Sequence, residues 1–381
     1  MLPYEASDDM RNVLLISSGF FVLFFGFTSA QQYLLVVFEA AGRGSLALVA
    51  LLLLYGMFAV SGLGAPKLIS ALGGLKHSLI LGACAYILFV ASIALENIPF
   101  ILACAALMGV GATLVWVSSG QIIVDSSSPQ TRGRNLGLQT MSLYVGTALG
   151  IWVGGLLYET TSVPLMYFIL AFIALFSVPF FLALKPVKEG VSLRLFRPQF
   201  LFDHRMLLMA PVLVGIYFLQ GQVFTAMTLV VIGTVGAGMI PLVISAVRLC
   251  NMLGSFGGGT LSDHIGKGIV LGGFVLMALV GTYVFARAEN ISALLIGSVF
   301  LGLSMASIYP ICISWLREKM SENEYLDALG IFHVYTNIGT IFAIIANLWL
   351  PASVSFIPAV IALLIGLPCI ALFHRLKGQL V

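Results

Sequence analysis

The chain has 381 residues, 60% of them hydrophobic and 9% charged, with a formal net charge of +3 and a mean hydropathy of +1.09. These values exclude an ordinary soluble globule, and the small positive balance reports membrane orientation rather than nucleic-acid binding. Apolar runs recur along the whole length, each long enough to cross ~30 Å of hydrocarbon as a helix of ~20 residues. The runs are solid rather than alternating, which excludes barrel strands. Backbone groups in lipid must bond internally, so the predicted class is an all-α polytopic membrane protein.

In chain order the runs predict helices over 12–37, 44–64, 77–95, 99–124, 136–158 and 163–184. A second set follows over 206–232, 239–261, 268–287, 292–315, 327–350 and 353–374. The longest polar stretch, 185–205, separates them and reads as a basic linker between an N-terminal six-helix bundle (1–184) and a C-terminal one (206–381). With both termini inside, the loops and helix ends on the inner side hold nearly all of the eighteen Lys and Arg. Only Arg43 and Arg287 fall outside, and Arg248 lies within a helix. That asymmetry is the positive-inside pattern. The five cysteines fall within predicted helices at no metal-like spacing and read as small packing residues.

The halves match at one offset. Gly137 corresponds to Gly330, an offset of 330 − 137 = 193, and the same offset pairs Gly73 with Gly266, Gly109 with Gly302, Trp116 with Tyr309, and Gly146 with Gly339. Two six-helix halves of like orientation are the layout of a rocking-bundle secondary transporter.

Gly259-Thr-Leu-Ser-Asp-His-Ile-Gly-Lys267, between helices 8 and 9, resembles the corresponding loop motif of the major facilitator superfamily. Pro129-Gln-Thr-Arg-Gly-Arg-Asn-Leu-Gly137 resembles that superfamily's loop between helices 4 and 5. The first half also resembles the Unc-ninety-three-like branch over Asn12-Val-Leu-Leu-Ile-Ser-Ser-Gly-Phe20, Gly64-Ala-Pro-Lys-Leu68 and Ala85-Tyr-Ile-Leu-Phe-Val90. The resemblance implies a cytoplasmic gate. Asp263 and Lys267 should meet the start of helix 5, where Arg132 and Arg134 lie and where the helix dipole favours a carboxylate. The equivalent of Asp263 in the first half is Ser70, flanked by Lys67 and Lys76. By pseudosymmetry that loop should meet the start of helix 11, with Glu324 and Asp327, so the charges read as exchanged. Solvated loop charge is the competing explanation.

The resemblance further implies that helices 1, 4, 7 and 10 line a central cavity. The candidates there are Phe27, Gln31, Trp116, Ser119, Gln220, Phe224 and Tyr309, because buried amides and hydroxyls need a partner. Helix–helix glue is the alternative. Arg248, with Asn251 three residues on and Tyr55 as its first-half equivalent, lies about 22 Å from Asp263 along the helix. It stays charged at any relevant pH, and an ionisable group at bilayer depth suggests function. An anionic or amphipathic small-molecule solute is expected to meet it, unless carbonyls or Tyr55 hold it structurally. All fifteen acids lie in loops or at helix ends, which leaves His333 as the candidate proton site; a packing histidine is the plainer reading. No nucleophile–base pair, metal-ligand cluster or nucleotide fingerprint is present in the sequence. The expectation is therefore a monomeric, cofactor-free, metal-free non-enzyme in a lipid bilayer, a prokaryotic cytoplasmic membrane by its compact loops. It moves solute by alternating access. A non-transporting channel-regulatory or receptor-escort role is the alternative.

Overall fold

A computed structural model describes residues 3–185, 198–223, 225–236, 239–351 and 354–376. The chain is helical throughout these residues: α1 (Pro3–Ala40), α2 (Gly44–Leu63), α3 (Ala65–Ala71), α4 (Leu75–Ile93), α5 (Ile98–Asp125), α6 (Arg132–Thr160), α7 (Val163–Leu175) and α8 (Ser177–Leu182). A short 3-10 turn (Pro198–Phe202) follows. Then come α9 (His204–Val223), α10 (Ala226–Val235), α11 (Ile240–Ile265), α12 (Lys267–Ala286), α13 (Ile291–Lys319), α14 (Glu322–Trp349) and α15 (Ile357–Arg375). Twelve segments among the described residues are long and apolar enough to cross a membrane. Each corresponds to one of the predicted runs, so the protein is a multi-pass membrane protein.

The 193-residue offset is an offset of contacts as well as of letters. A Cβ on Gly146 would strike the carbonyl of Phe21, and one on Gly339 would strike that of Val214, which is 21 + 193. Gly109 meets the carbonyl of Leu54, and Gly302 meets that of Val247, which is 54 + 193. Asn97 and Asn290, also 193 apart, both cap helix starts, accepting from Phe100 N at 3.1 Å and Ala293 N at 3.0 Å. Gly73 and Gly266 both have positive φ, 84° and 109°, in equivalent turns. Helices in lipid associate through close packing of small residues, and these glycines repeat because the packing they permit repeats.

The chain divides into two compact units, 1–128 with 142–197, and 129–141 with 198–381. The first turns of α6 therefore cluster with the second unit, although the sequence places them in the first half. In the first unit an aromatic core joins α1, α4 and α5. Phe24 meets Trp116 at 5.7 Å between centroids, and Phe27 meets Tyr86 edge-on at 4.7 Å. Two cations cap the C-terminus of α8: Lys76 Nζ donates to Leu184 O at 2.7 Å, and Arg11 reaches Ala183 O at 3.4 Å.

The run over 163–184 is divided at Phe176 into α7 and α8, and α1 and α14 begin earlier than predicted, at Pro3 and Glu322. Two other elements differ from expectation. The predicted helix over 206–232 is split into α9 and α10. The Gln222 Oε1 atom accepts from Ala226 N (3.4 Å), Thr225 Oγ1 (3.1 Å) and Asn347 Nδ2 (2.8 Å), so a side chain takes the place of a backbone acceptor at the break. The other difference is α6, which begins at Arg132 rather than at 136 because a carboxylate from elsewhere caps it. Of the expected linker, 186–197 lies outside the described residues.

Candidate functional site

The turn that ends α11 carries the most ordered constellation. Gly266, at φ 109°, reverses the chain so that Lys267 opens α12 beside Asp263. The Asp263 side chain is 2% exposed. Its two oxygens accept from the backbone N–H groups of Gly133 (3.2 Å) and Arg134 (2.9 Å), in the first turn of α6. These are donors that a helix start leaves without intrahelical partners, and the helix dipole adds to the attraction. Close approach depends on glycine: a Cβ on Gly133 would lie 2.6 Å from Gly259 O, and one on Gly137 would lie 2.6 Å from Ser255 O. Lys267 Nζ sits 3.6 Å from Asp263 and 2.6 Å from Glu318. The expected partners of Asp263, Arg132 and Arg134, thus contribute through the backbone of their turn. The guanidinium of Arg134 lies against Asn135 Oδ1 at 3.4 Å.

Glu324 and Asp327 were expected to meet Lys67 and Lys76; among the described residues, the contacts of Glu324 and Lys76 lie within their own units. Glu324 pairs with Arg205 at 3.0 Å and closes a capping box with Ser321 at the start of α14, while Lys76 bonds Leu184 O. Lys67 is exposed and Asp327 buried. The Arg205 knot is a feature that sequence reasoning missed. Nη1 donates to Glu324 and to Lys319 O, both at 3.2 Å. Nη2 donates to Glu324 (3.0 Å) and Asp203 (2.9 Å), and Nε donates to Asp203 (3.0 Å). One guanidinium thereby ties the start of α9 to the end of α13 and the start of α14. The Ser-x-x-Glu spacing at 321–324 was a legible trace of it. Partial burial pushes the Asp203 carboxyl up, but donation from the side chain and backbone of Arg205 outweighs this and holds it below the usual carboxylate range.

Within the membrane span, Arg248 is 6% exposed and Asn251 0% exposed, one turn apart on α11. Among the described residues, neither Oδ1 nor Nδ2 of Asn251 has a hydrogen-bond partner. Tyr55 accepts from Gln31 Nε2 at 2.9 Å, and Gln220 donates to Met305 O at 3.3 Å. Ser119 donates to Trp116 O in its own helix at 3.3 Å. Phe27 and Trp116 belong to the aromatic core. Tyr309 packs against Phe332 at 5.8 Å and against the buried His333 at 6.3 Å. Phe224 lies outside the described residues.

The family described as "Ion channel regulatory protein UNC-93" matches residues 41–194. Among curated proteins, bovine (Bos taurus) protein unc-93 homolog A is 26% identical over 151 residues, 38% of this chain and 32% of that protein. The UNC93-like protein MFSD11 of Xenopus laevis is 24% identical over 201 residues, 49% of this chain and 44% of that one. The chain thus spans less than half the length of these relatives. Solved structures align over nearly everything. The human organic anion transporter MFSD10 matches with a TM-score of 0.77 at 13% identity, covering 97% of this chain and 99% of the other. The proton:xylose symporter XylE matches with 0.76 at 15% identity, covering 99% and 97%. The Escherichia coli fucose:proton symporter FucP matches with 0.73 at 15% identity, covering 96% and 99%. The chain has the fold of the major facilitator superfamily, and its first half resembles the Unc-93 family.

Proposed function

We propose that this protein is a secondary active or facilitative transporter, working by alternating access on a small anionic or amphipathic solute. The observation that carries the reading is the seat of Asp263 on the first turn of α6. It is a compact, charge-assisted contact of a few hydrogen bonds beside a glycine seam, strong enough to hold one state and limited enough to release. Asp263, Lys267 and Arg134 form the gate, on the cytoplasmic side by the distribution of Lys and Arg. Arg248 is the anion-binding residue: it carries a permanent positive charge within an apolar span, and an ionisable group at that depth marks a functional position. The likeness to a human organic anion transporter supports the same solute class. His333, a buried histidine within α14, is the candidate side chain for proton coupling. As a non-enzyme, the protein would work on its solute without altering it.

The second reading, a membrane partner that regulates a channel, is favoured by the Unc-93 match over 41–194. A ligand-induced thermal shift across anions, sugars, peptides and lipids separates the two. A true ligand raises the melting temperature as RT ln(1 + [L]/Kd). With such a ligand, Arg248→Lys should weaken binding and Arg248→Gln should nearly abolish it while the protein stays monodisperse. A flat panel would favour the partner reading. Unchanged affinity in a destabilised Arg248→Gln protein would remove Arg248 from the solute site.

A further inference from the structure

Asn251 is the starting point. Its side chain is fully buried, and its amide presents an acceptor, Oδ1, and a donor, Nδ2, neither of them bonded among the described residues. Burying one such group unbonded is costly, and here both halves of an amide are left so. Two hydroxyls of α13, the helix packed on α11, give their protons to backbone carbonyls. Ser307 donates to Gly254 O (2.7 Å), and Ser304 donates to Phe300 O (2.8 Å). The α11–α13 seam is closed by Gly254 and Gly302, whose added Cβ atoms would lie 2.2 Å from Leu303 O and 2.5 Å from Val247 O. Backbone packing therefore fixes the position of Asn251. Arg248 lies one turn away on the same helix face.

Resting on the assignment of Arg248 to the anion, we infer that the solute is a carboxylate bearing a hydrogen-bond donor, a hydroxyl or an amino group, on the adjacent carbon. A bare carboxylate satisfies Arg248 and Nδ2 but leaves Oδ1 without a donor. A 2-substituted carboxylate answers all three. One carboxylate oxygen accepts from Arg248, the other accepts from Nδ2, and the neighbouring O–H or N–H donates to Oδ1. The amide thus reads the donor beside the charge, and the guanidinium reads the charge itself. A site whose buried polar atom goes unpaired rejects the analogue that lacks the matching group.

The test uses matched sets of three- to eight-carbon carboxylates, each as the parent, 2-hydroxy and 2-amino compound, bound to the purified full chain and followed by thermal shift. In at least one set a substituted member should bind at least about tenfold more tightly than its parent. Asn251→Leu should remove that preference while both members still depend on Arg248. Without ligand this variant should melt at or above the wild-type temperature, since an unbonded amide has been replaced by an apolar side chain of similar size. Parents binding as well as their substituted partners, or a preference that survives Asn251→Leu, would overturn the inference and leave the anion reading standing. A lower melting temperature for the unliganded variant would also overturn it, by placing the amide's partners inside the protein. If no set binds, or if binding ignores Arg248→Gln, the anion reading falls and this inference with it. The comparison of parent with substituted ligand needs only the wild-type protein, so it holds even where a variant does not fold.

Discussion

Asp263 caps a helix distant from it in sequence, and that exchange sets what its substitution does. The carboxylate accepts two backbone N–H bonds and neighbours Lys267. Asp263→Asn keeps the shape but turns an N–H₂ toward one of the two donors and removes the charge. The contact should lose about 2 kcal/mol, the range for a hydrogen bond to a charged group. In detergent the variant should melt several degrees lower, and a cysteine placed at Arg134 should label faster. Gly133→Ala tests the same seat sterically, because its Cβ would lie 2.6 Å from Gly259 O and 2.7 Å from Asp263 Oδ1. If both variants labelled and melted like wild type, the seat would not latch anything. Asp203 gives the pH-dependent counterpart. Its pKa is lowered in the fold, so its contribution is present above the unfolded value of ~3.9 and is lost as the pH falls through the folded value. The difference in melting temperature between wild type and Asp203→Asn should be constant from pH 7 to about pH 5 and should shrink below pH 4. A difference that grew on acidification would contradict the lowered pKa.

At the scale of elements, the twelve runs were legible because the bilayer imposes one long apolar stretch per crossing, a signal that no competing pattern obscures. The repeat was legible because glycines at helix contacts tolerate no Cβ, so Gly109 and Gly302, or Gly146 and Gly339, stand in register. The break between α9 and α10 was not legible. It depends on Gln222 bonding Asn347 and the Ser355 carbonyl (3.1 Å), partners more than a hundred residues away. The Arg205 knot escaped for the same reason: charge counts locate Arg205 at a helix start but do not choose its carboxylates. Of the candidate site, the Asp263 motif was visible as a string, whereas the two α6 backbone N–H groups that donate to it were not. Residues chosen by polarity alone divided, with Arg248 and Asn251 buried in the span, Phe27 taken into the aromatic core, and Ser119 bonded within its own helix. The break itself can be tested. Gln222→Leu removes every bond of the Gln222 side chain and leaves Asn347 Nδ2 with Thr225 Oγ1 (2.8 Å) and Ala343 O (2.6 Å). It should raise hydrogen exchange at residues 225–228 and cost about 1–3 kcal/mol. Exchange confined to wild-type rates would show that the Gln222 side chain does not hold the break.

For the whole molecule, orientation decides which side each constellation serves. The distribution of Lys and Arg predicts both termini, the α5–α6 turn and the α11–α12 turn inside, and the α12–α13 turn outside. Translocation of short loops responds to basic residues near helix ends, and the α5–α6 turn carries Arg132 and Arg134 where the α12–α13 turn carries Arg287 alone. Single cysteines at Gln130 and Glu289 sample these two turns, and both positions are exposed. With the five native cysteines replaced by alanine or serine, an impermeant maleimide added to right-side-out vesicles should label Glu289→Cys and leave Gln130→Cys unlabelled until the membrane is opened. Inverted vesicles should give the reverse. The result bears directly on the proposed gate, since Asp263 bonds the helix that Gln130 precedes by two residues. Labelling of Gln130→Cys from outside would invert the molecule, making the Asp263 seat an external gate and setting this chain against the positive-inside pattern of its own loops.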